Sequence, residues 1–333
     1  MIVNYLESLI ILSAILSLLT MGLNVRWGWA GEFDLAYYAI VAFGAYFGGV
    51  LQLPHSQEPS GLGWILGLNL PFVVGLLGGA VIGGVTSLVV GAFALKSLRG
   101  DYLSIATVAF ALVAWAFLSQ LPGLFNGFNG VYGMQQPFAD VFKNLDAQTY
   151  ALILFAICVV ILVIVYVFLE MMYKSPFGRT LRAIREDEFA SAAFGRDVFR
   201  CKLKAYVIGG VVAGIGGVLF ANYLGQWNPY TWAPIETFLL YGAIFIGGQG
   251  NSRGIIIGSV ILLVLIPEVT RFMPQVPGKP DLFPALRSMV SAVLVILVLR
   301  YRPQGLLPEV HPRDAGDRAP APTAQTAGSA ANV

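Results

Sequence analysis

An all-α fold, a polytopic bundle of about nine transmembrane helices with one or two broken or re-entrant, is what this sequence predicts. Three observations carry it. Of 333 residues, 57% are hydrophobic and only 11% charged, whereas a soluble domain carries about 25% charged residues. A water-facing fold of this size would lack polar surface; a lipid-facing one would not. The apolar runs, such as Ala151–Leu169, are also long and unbroken. Backbone groups in hydrocarbon must be satisfied internally, by helices or a closed barrel, and barrel strands alternate in short stretches. Finally, Lys and Arg gather in a few segments between the runs, as the loops of a membrane protein do.

A helix needs about 20 apolar residues to cross about 30 Å of hydrocarbon. Candidate spans lie at 5–25, 33–51, 67–95, 102–120, 150–172, 204–224, 236–250, 253–268 and 284–300. The third is long enough to tilt or extend beyond the bilayer. The seventh is short and glycine-rich and suits a re-entrant segment. No basic residue precedes Arg26, so the first run reads as a retained span and not as a cleaved signal.

Sidedness follows the basic residues. Segment 173–204 holds eight of the twenty and is expected to be cytoplasmic. Lys96 with Arg99, and Arg300 with Arg302, belong on the same side. The spans between these landmarks are even in number, as that requires, and the N-terminus is then outside with the C-terminus cytoplasmic. The chain divides into a membrane domain, 1–308, and a tail, 309–333, whose Pro, Ala, Thr and Gly content predicts disorder. Gly78–Val85 and Gly209–Val218 share a Gly/Ala/Val texture, compatible either with internal duplication or with composition alone.

Chemistry of other kinds is sparse. Cys158 and Cys201 form no C-x-x-C pair, and His55 and His311 fall in polar stretches, so no metal or redox site is readable. There is no H-E-x-x-H or G-x-S-x-G, which argues against an intramembrane enzyme. A net charge of +2 gives no ground for a nucleic-acid partner.

The basic loop contains Phe177–Gly195, FGRTLRAIREDEFASAAFG. Arg182 and Arg185 precede Glu186, Asp187 and Glu188, and Ala190, Ala192 and Ala193 make a small, flat surface that another protein can approach. A solvated linker held inside by its charge is the plainer alternative, but a linker needs no alanine face. We read a docking helix.

Three stretches resemble the M-type permease subunit of branched-chain amino acid ABC importers. They are Leu98–Thr107 (LRGDYLSIAT), Phe177–Gly195 and Arg302–Leu307 (RPQGLL), with Pro267–Glu268 and Gly247–Gly250 in the family's places. The resemblance implies alternating access within a membrane complex. Its other parts would be a second homologous permease, two cytoplasmic ATPases and an extracytoplasmic solute-binding protein, in the lipid of a bacterial plasma membrane. It further implies that Arg182, Arg185, Glu186, Asp187, Glu188, Ala190 and Gly195 couple the ATPases. ABC permeases carry an EAA-x3-G loop; Ala190 and Gly195 fit that spacing, but Phe189 stands at the glutamate and Ser191 at the second alanine. No G-x-x-x-x-G-K-[ST] occurs, so this chain is expected to bind no cofactor, ATP being used by partner subunits. Branched-chain amino acids, other neutral amino acids, urea and short amides are all solutes of such systems.

Arg26–Tyr46 departs from the family pattern, with Glu32, Asp34, Tyr37 and Tyr38 where neutral polar groups are usual. Intramembrane acids normally face a cavity or a partner, so these four are candidate pathway residues. The competing expectation is that both acids sit at the cytoplasmic end of the second span, with Arg26 neutralising one. Two residues apart on a helix they would point about 200° apart and form no paired site. A secondary transporter using Glu32 or Asp34 for cation coupling is the rival function, and the docking loop speaks against it.

Overall fold

The computed structural model describes residues 2–57, 63–64, 66–98, 100–134, 137–138, 147–271 and 282–309. The tail 310–333, with His311, lies outside them, as do Arg99 and Gly278–Lys279. In chain order the helices are α1 (Ile2–Asn24), α2 (Tyr37–Val50), α3 (Phe72–Ser97), α4 (Asp101–Gln120), α5 (Pro122–Phe125), α6 (Ala147–Lys174), α7 (Pro176–Glu186) and α8 (Glu188–Ala193). They continue with α9 (Val198–Leu224), α10 (Glu236–Gly247), α11 (Ser252–Ser259), α12 (Ile266–Arg271) and α13 (Leu282–Tyr301). Two π-helical stretches, Val25–Trp29 and Val260–Leu265, extend α1 and join α11 to α12. Pro267 lacks an N–H and crowds the carbonyl four residues back, the usual origin of such a deformation. A two-residue hairpin, β1 (Ser56–Gln57) with β2 (Gly63–Trp64), is the strand pairing among the described residues.

Each of the nine expected spans contains helix, although residues 33–36, 67–71 and 248–250 lie outside it. Six helical segments among the described residues are long and apolar enough to cross a membrane. α2 and α10 are not: at 14 and 12 residues they reach about 21 and 18 Å at 1.5 Å per residue. Both are half-helices. The second span therefore starts at Tyr37 and not at 33, because residues 31–34 are irregular.

Glycine decides which helices form the centre. α2, α3 and α9 pack on one another and α1 packs on α9; a Cβ on Gly44 of α2 would lie 2.5 Å from the Cα of Gly214 in α9, while one on Gly214 would collide with the carbonyl of Gly79 in α3. Only small residues let three backbones approach this closely. The two glycine-rich stretches noted in the sequence thus pack face to face. α4, α6 and α13 lie outside this centre and expose apolar side chains such as Val113, Ile164 and Ile296, as lipid-facing helices do.

One end of the bundle collects the basic residues. The end of α3, the start of α4, α7, α8 and the start of α9 surround one cavity there, and Glu309, just beyond α13, reaches Arg185 of α7. The RPQGLL segment seals the end of α10: Leu306 and Leu307 donate to the carbonyls of Ile246 and Gly247 at 2.8 and 3.1 Å, which a helix C-terminus otherwise leaves unpaired. Gly248 (φ +113) and Gly250 (φ +81) make the tight turn into α11, and the Asn251 side chain caps α11 by accepting from Arg253 and Gly254 N–H.

Candidate functional site at the basic end of the bundle

Between α1 and α2 the chain unwinds in the interior, so residues 31–36 need partners for backbone groups that no helix satisfies. Four side chains on two helices, α4 and α10, supply them. Asp34 N–H donates to the Tyr241 hydroxyl (2.8 Å), which in turn donates to the Asp34 carbonyl (2.9 Å). Leu35 N–H donates to Thr107 Oγ1 at 3.1 Å, and Ser104 Oγ donates to the Phe33 carbonyl at 3.2 Å. Thr237 of α10 accepts from Tyr38 N–H (3.3 Å) and donates to the Leu35 carbonyl (3.4 Å). The N-termini of α2 and α10 therefore meet inside the bundle.

A buried ion pair holds this break. Arg26, in the π-helical turn, binds Asp34, both side chains being 0% exposed. Its guanidinium also donates to Ser87 Oγ of α3 at 2.6 Å and lies over the rings of Tyr206 and Tyr37, 4.1 and 5.0 Å from their centroids. Asp34 additionally accepts from Ala36 N–H at 2.8 Å. Charges taken out of water are tolerated only when paired and hydrogen-bonded in this way.

The basic loop docks beneath the break. Ser175 caps α7 with Pro176 at its first position, and Asp187 caps α8 through Ala190 N–H at 2.9 Å. Leu181 and Ile184 turn inward. Arg185 donates to the Gly28 carbonyl in the π-helical turn and to Glu309 Oε2, the latter at 2.7 Å. Arg182 stacks on Tyr173, 4.4 Å from the ring centroid, and lies 3.8 Å from Glu309. Lys202 of α9 bridges Glu32 (2.6 Å) and Glu188 (2.8 Å). Beside this bridge is a cavity of about 540 Å³ lined by Glu32, Lys96, Arg185, Glu188, Phe189 and Lys202, among others. At the rim of this cavity Phe189, and just beyond α8 Phe194, are 74% and 86% exposed.

A family described as the branched-chain amino acid transport system permease component matches residues 5–299. This chain belongs to that family. The permease is 30% identical over 315 residues to a probable branched-chain amino acid transport permease protein LivM of Methanocaldococcus jannaschii, covering 88% of this chain and 90% of that one. It is 28% identical to the high-affinity system permease protein LivM of Salmonella typhimurium, over 89% of this chain and 68% of the relative. A LivH permease of Escherichia coli K12 is 26% identical, with 88% and 92% covered. No solved structure matches. The permease is a multi-pass membrane transport protein.

Within the permease the expected coupling residues occupy one end but different settings. Arg182 and Arg185 are half-buried and tied to Glu309, Glu188 is bridged to Lys202, Asp187 caps a helix, and Glu186 and Ala190 are exposed. Gly195 ends the α8 turn at φ +76. The four candidate pathway residues divide. Asp34 and Tyr37 are wholly buried, Asp34 on Arg26 and Tyr37 donating to the Leu19 carbonyl at 2.8 Å. Glu32 borders the 540 Å³ cavity, and Tyr38 borders another of about 300 Å³ between α1, α10 and α12. The two acids do point apart, though not by helical spacing, since neither lies in a helix.

Sequence reading missed Ser87, Thr107, Tyr206, Thr237, Tyr241, Lys202 and Glu309 as partners of these groups. Lone polar residues in apolar helices were the available signal for the first five. Glu309 offers none, since it begins the polar tail.

Proposed function

We propose that this permease is the membrane subunit of an ATP-driven importer that passes branched-chain or related small polar solutes by alternating access. Two ATPases dock on loop 173–204, a second homologous permease completes the pathway, and a solute-binding protein delivers at the far end. The basic end faces the cytoplasm. One observation carries the coupling role: α8 presents Phe189 and Phe194 outward, while α7 and the Glu188–Lys202–Glu32 bridge tie the same unit to the break between α1 and α2. A partner that grips the phenylalanines and moves α7–α8 pulls on the Gly28 carbonyl and on Glu32. Rearranging that break alters how the half-helices α2 and α10 meet. Of the candidate pathway residues, Tyr38 and Glu32 are assigned to the solute's route, and Asp34 to holding the break through Arg26. The LivM and LivH relatives, branched-chain amino acid transport permeases by name, support the amino acid class.

The test replaces Phe189 and Phe194 together by Asp in the assembled transporter. Expected is normal permease in the membrane with loss of co-purifying ATPase and of uptake. Unchanged co-purification and solute-stimulated ATP hydrolysis would place the docking surface elsewhere.

A further inference from the structure

We propose that a cleft at the basic end, where the foot of α6 meets α7 and the start of α11, binds the phosphate headgroup of an anionic phospholipid. The cleft holds about 460 Å³ and is lined by Lys174, Arg179, Arg182 and Arg253 with Glu170 and Glu309. Four cations face two carboxylates, and the carboxylates are already engaged. Glu170 pairs with Lys174 at 3.1 Å, and Glu309 with Arg185 and Arg182. Among the described residues no carboxylate lies within 4.0 Å of Arg179 or Arg253. Arg179 gives one bond to the Lys174 carbonyl (3.0 Å) and Arg253 one to the Tyr166 hydroxyl (3.2 Å). A guanidinium has five N–H donors in a fork that matches phosphate oxygens, so most of that capacity is unspent.

Position selects a lipid over a soluble anion. Lys174 ends the α6 span and Arg253 lies in the first turn of α11, the level at which both helices leave hydrocarbon. Along the span that leads to the cleft, α6 exposes Val160, Ile164, Val167, Phe168 and Met171, and α11 exposes Ile257 one turn beyond Arg253. An apolar surface that leads to two arginines without a salt-bridge partner fits an amphiphile: acyl chains along the apolar surface, phosphate in the cleft. Inorganic phosphate fits the arginines but gains nothing from that surface. Basic pockets between spans at a membrane surface have this property in general.

The experiment uses the assembled transporter, extracted from nanodiscs of equal phosphatidylglycerol and phosphatidylcholine, with retained lipid read by native mass spectrometry. Wild type is expected to retain phosphatidylglycerol over phosphatidylcholine. The double variant Arg179→Gln/Arg253→Gln should lose that preference, by about five-fold per arginine removed, equivalent to the ~1 kcal/mol a surface cation contributes toward an anionic headgroup. Arg179→Lys/Arg253→Lys, which keeps the charge, should retain most of it. Arg253→Gln alone touches no core packing and serves if the double variant fails to assemble, with a five-fold loss expected. Excess inorganic phosphate should not release the lipid. Equal retention by wild type and the Gln variants overturns the proposal. So does release by inorganic phosphate, which would mark a soluble-anion site. Loss of a co-purifying subunit with lipid retention unchanged would assign the cleft to a protein partner.

Discussion

Arg26 and Asp34 show how a single pair can govern a membrane interior. Each is wholly buried, and each has further partners: Ser87, Tyr206 and Tyr37 around the guanidinium, and Ala36 N–H on the carboxylate. Removing one member leaves an uncompensated buried charge, which costs about 3–5 kcal/mol, whereas replacing both by neutral groups costs far less. Arg26→Gln and Asp34→Asn should therefore each lower the detergent melting temperature strongly, and the double variant should regain much of the loss. If Asp34→Asn alone melts like wild type while uptake falls, the carboxylate serves the solute and not the fold. Thr107 acts on a smaller scale. Its hydroxyl accepts from Leu35 N–H in the unwound segment, and Thr107→Val leaves that N–H unpaired, a loss of about 1–3 kcal/mol. Thermal unfolding of Thr107→Val beside Thr107→Ser, which retains the hydroxyl, checks this.

At the scale of elements, the central helices are set by what they lack. Gly79, Gly44 and Gly214 allow α3, α2 and α9 to touch through their backbones, and a methyl group at Gly214 must displace the carbonyl of Gly79. Gly214→Ala should cost about 1–3 kcal/mol by overpacking, seen as a lower melting temperature; an unchanged value would mean that the crossing has slack. The α7–α8 unit is the other decisive element. Lys202 alone joins it to Glu32, with side chains 12% and 13% exposed, so water screens the bridge only partly. Lys202→Met should leave insertion and ATPase binding intact but separate ATP hydrolysis from uptake, giving fewer solutes moved per ATP in proteoliposomes. An unchanged ratio would show that Arg185 and Gly28 suffice.

For the whole molecule, the described helices thread so that the Lys- and Arg-rich segments meet at one end, the end that the proposed function assigns to the cytoplasm. In intact cells an impermeant thiol reagent should label single cysteines introduced at 121–134 and leave those at 179–200 untouched. The reverse pattern would invert the orientation. Labelling of both would mean that the spans do not alternate as the structure threads them.

The helical membrane class, the approximate places of the spans and the gathering of charge were legible in the sequence because each depends on local composition. An apolar run of sufficient length must be helical in lipid, whatever its neighbours are. The helical character of the basic loop was legible for the same reason, being a polar segment between two such runs. That Arg26 neutralises one of the two acids was an expectation; that the acid is Asp34, that Lys202 bridges Glu32 and that Glu309 clasps Arg185 were not legible. Lys202 and Glu309 are far along the chain from the residues they hold, and Asp34 lies outside any helical period. Such pairings form only when packed helices bring distant side chains together in a medium too dry to leave a charge alone. Local chemistry therefore specified that this chain crosses a membrane and where. Tertiary packing alone decided which of its charges hold the fold and which border a cavity.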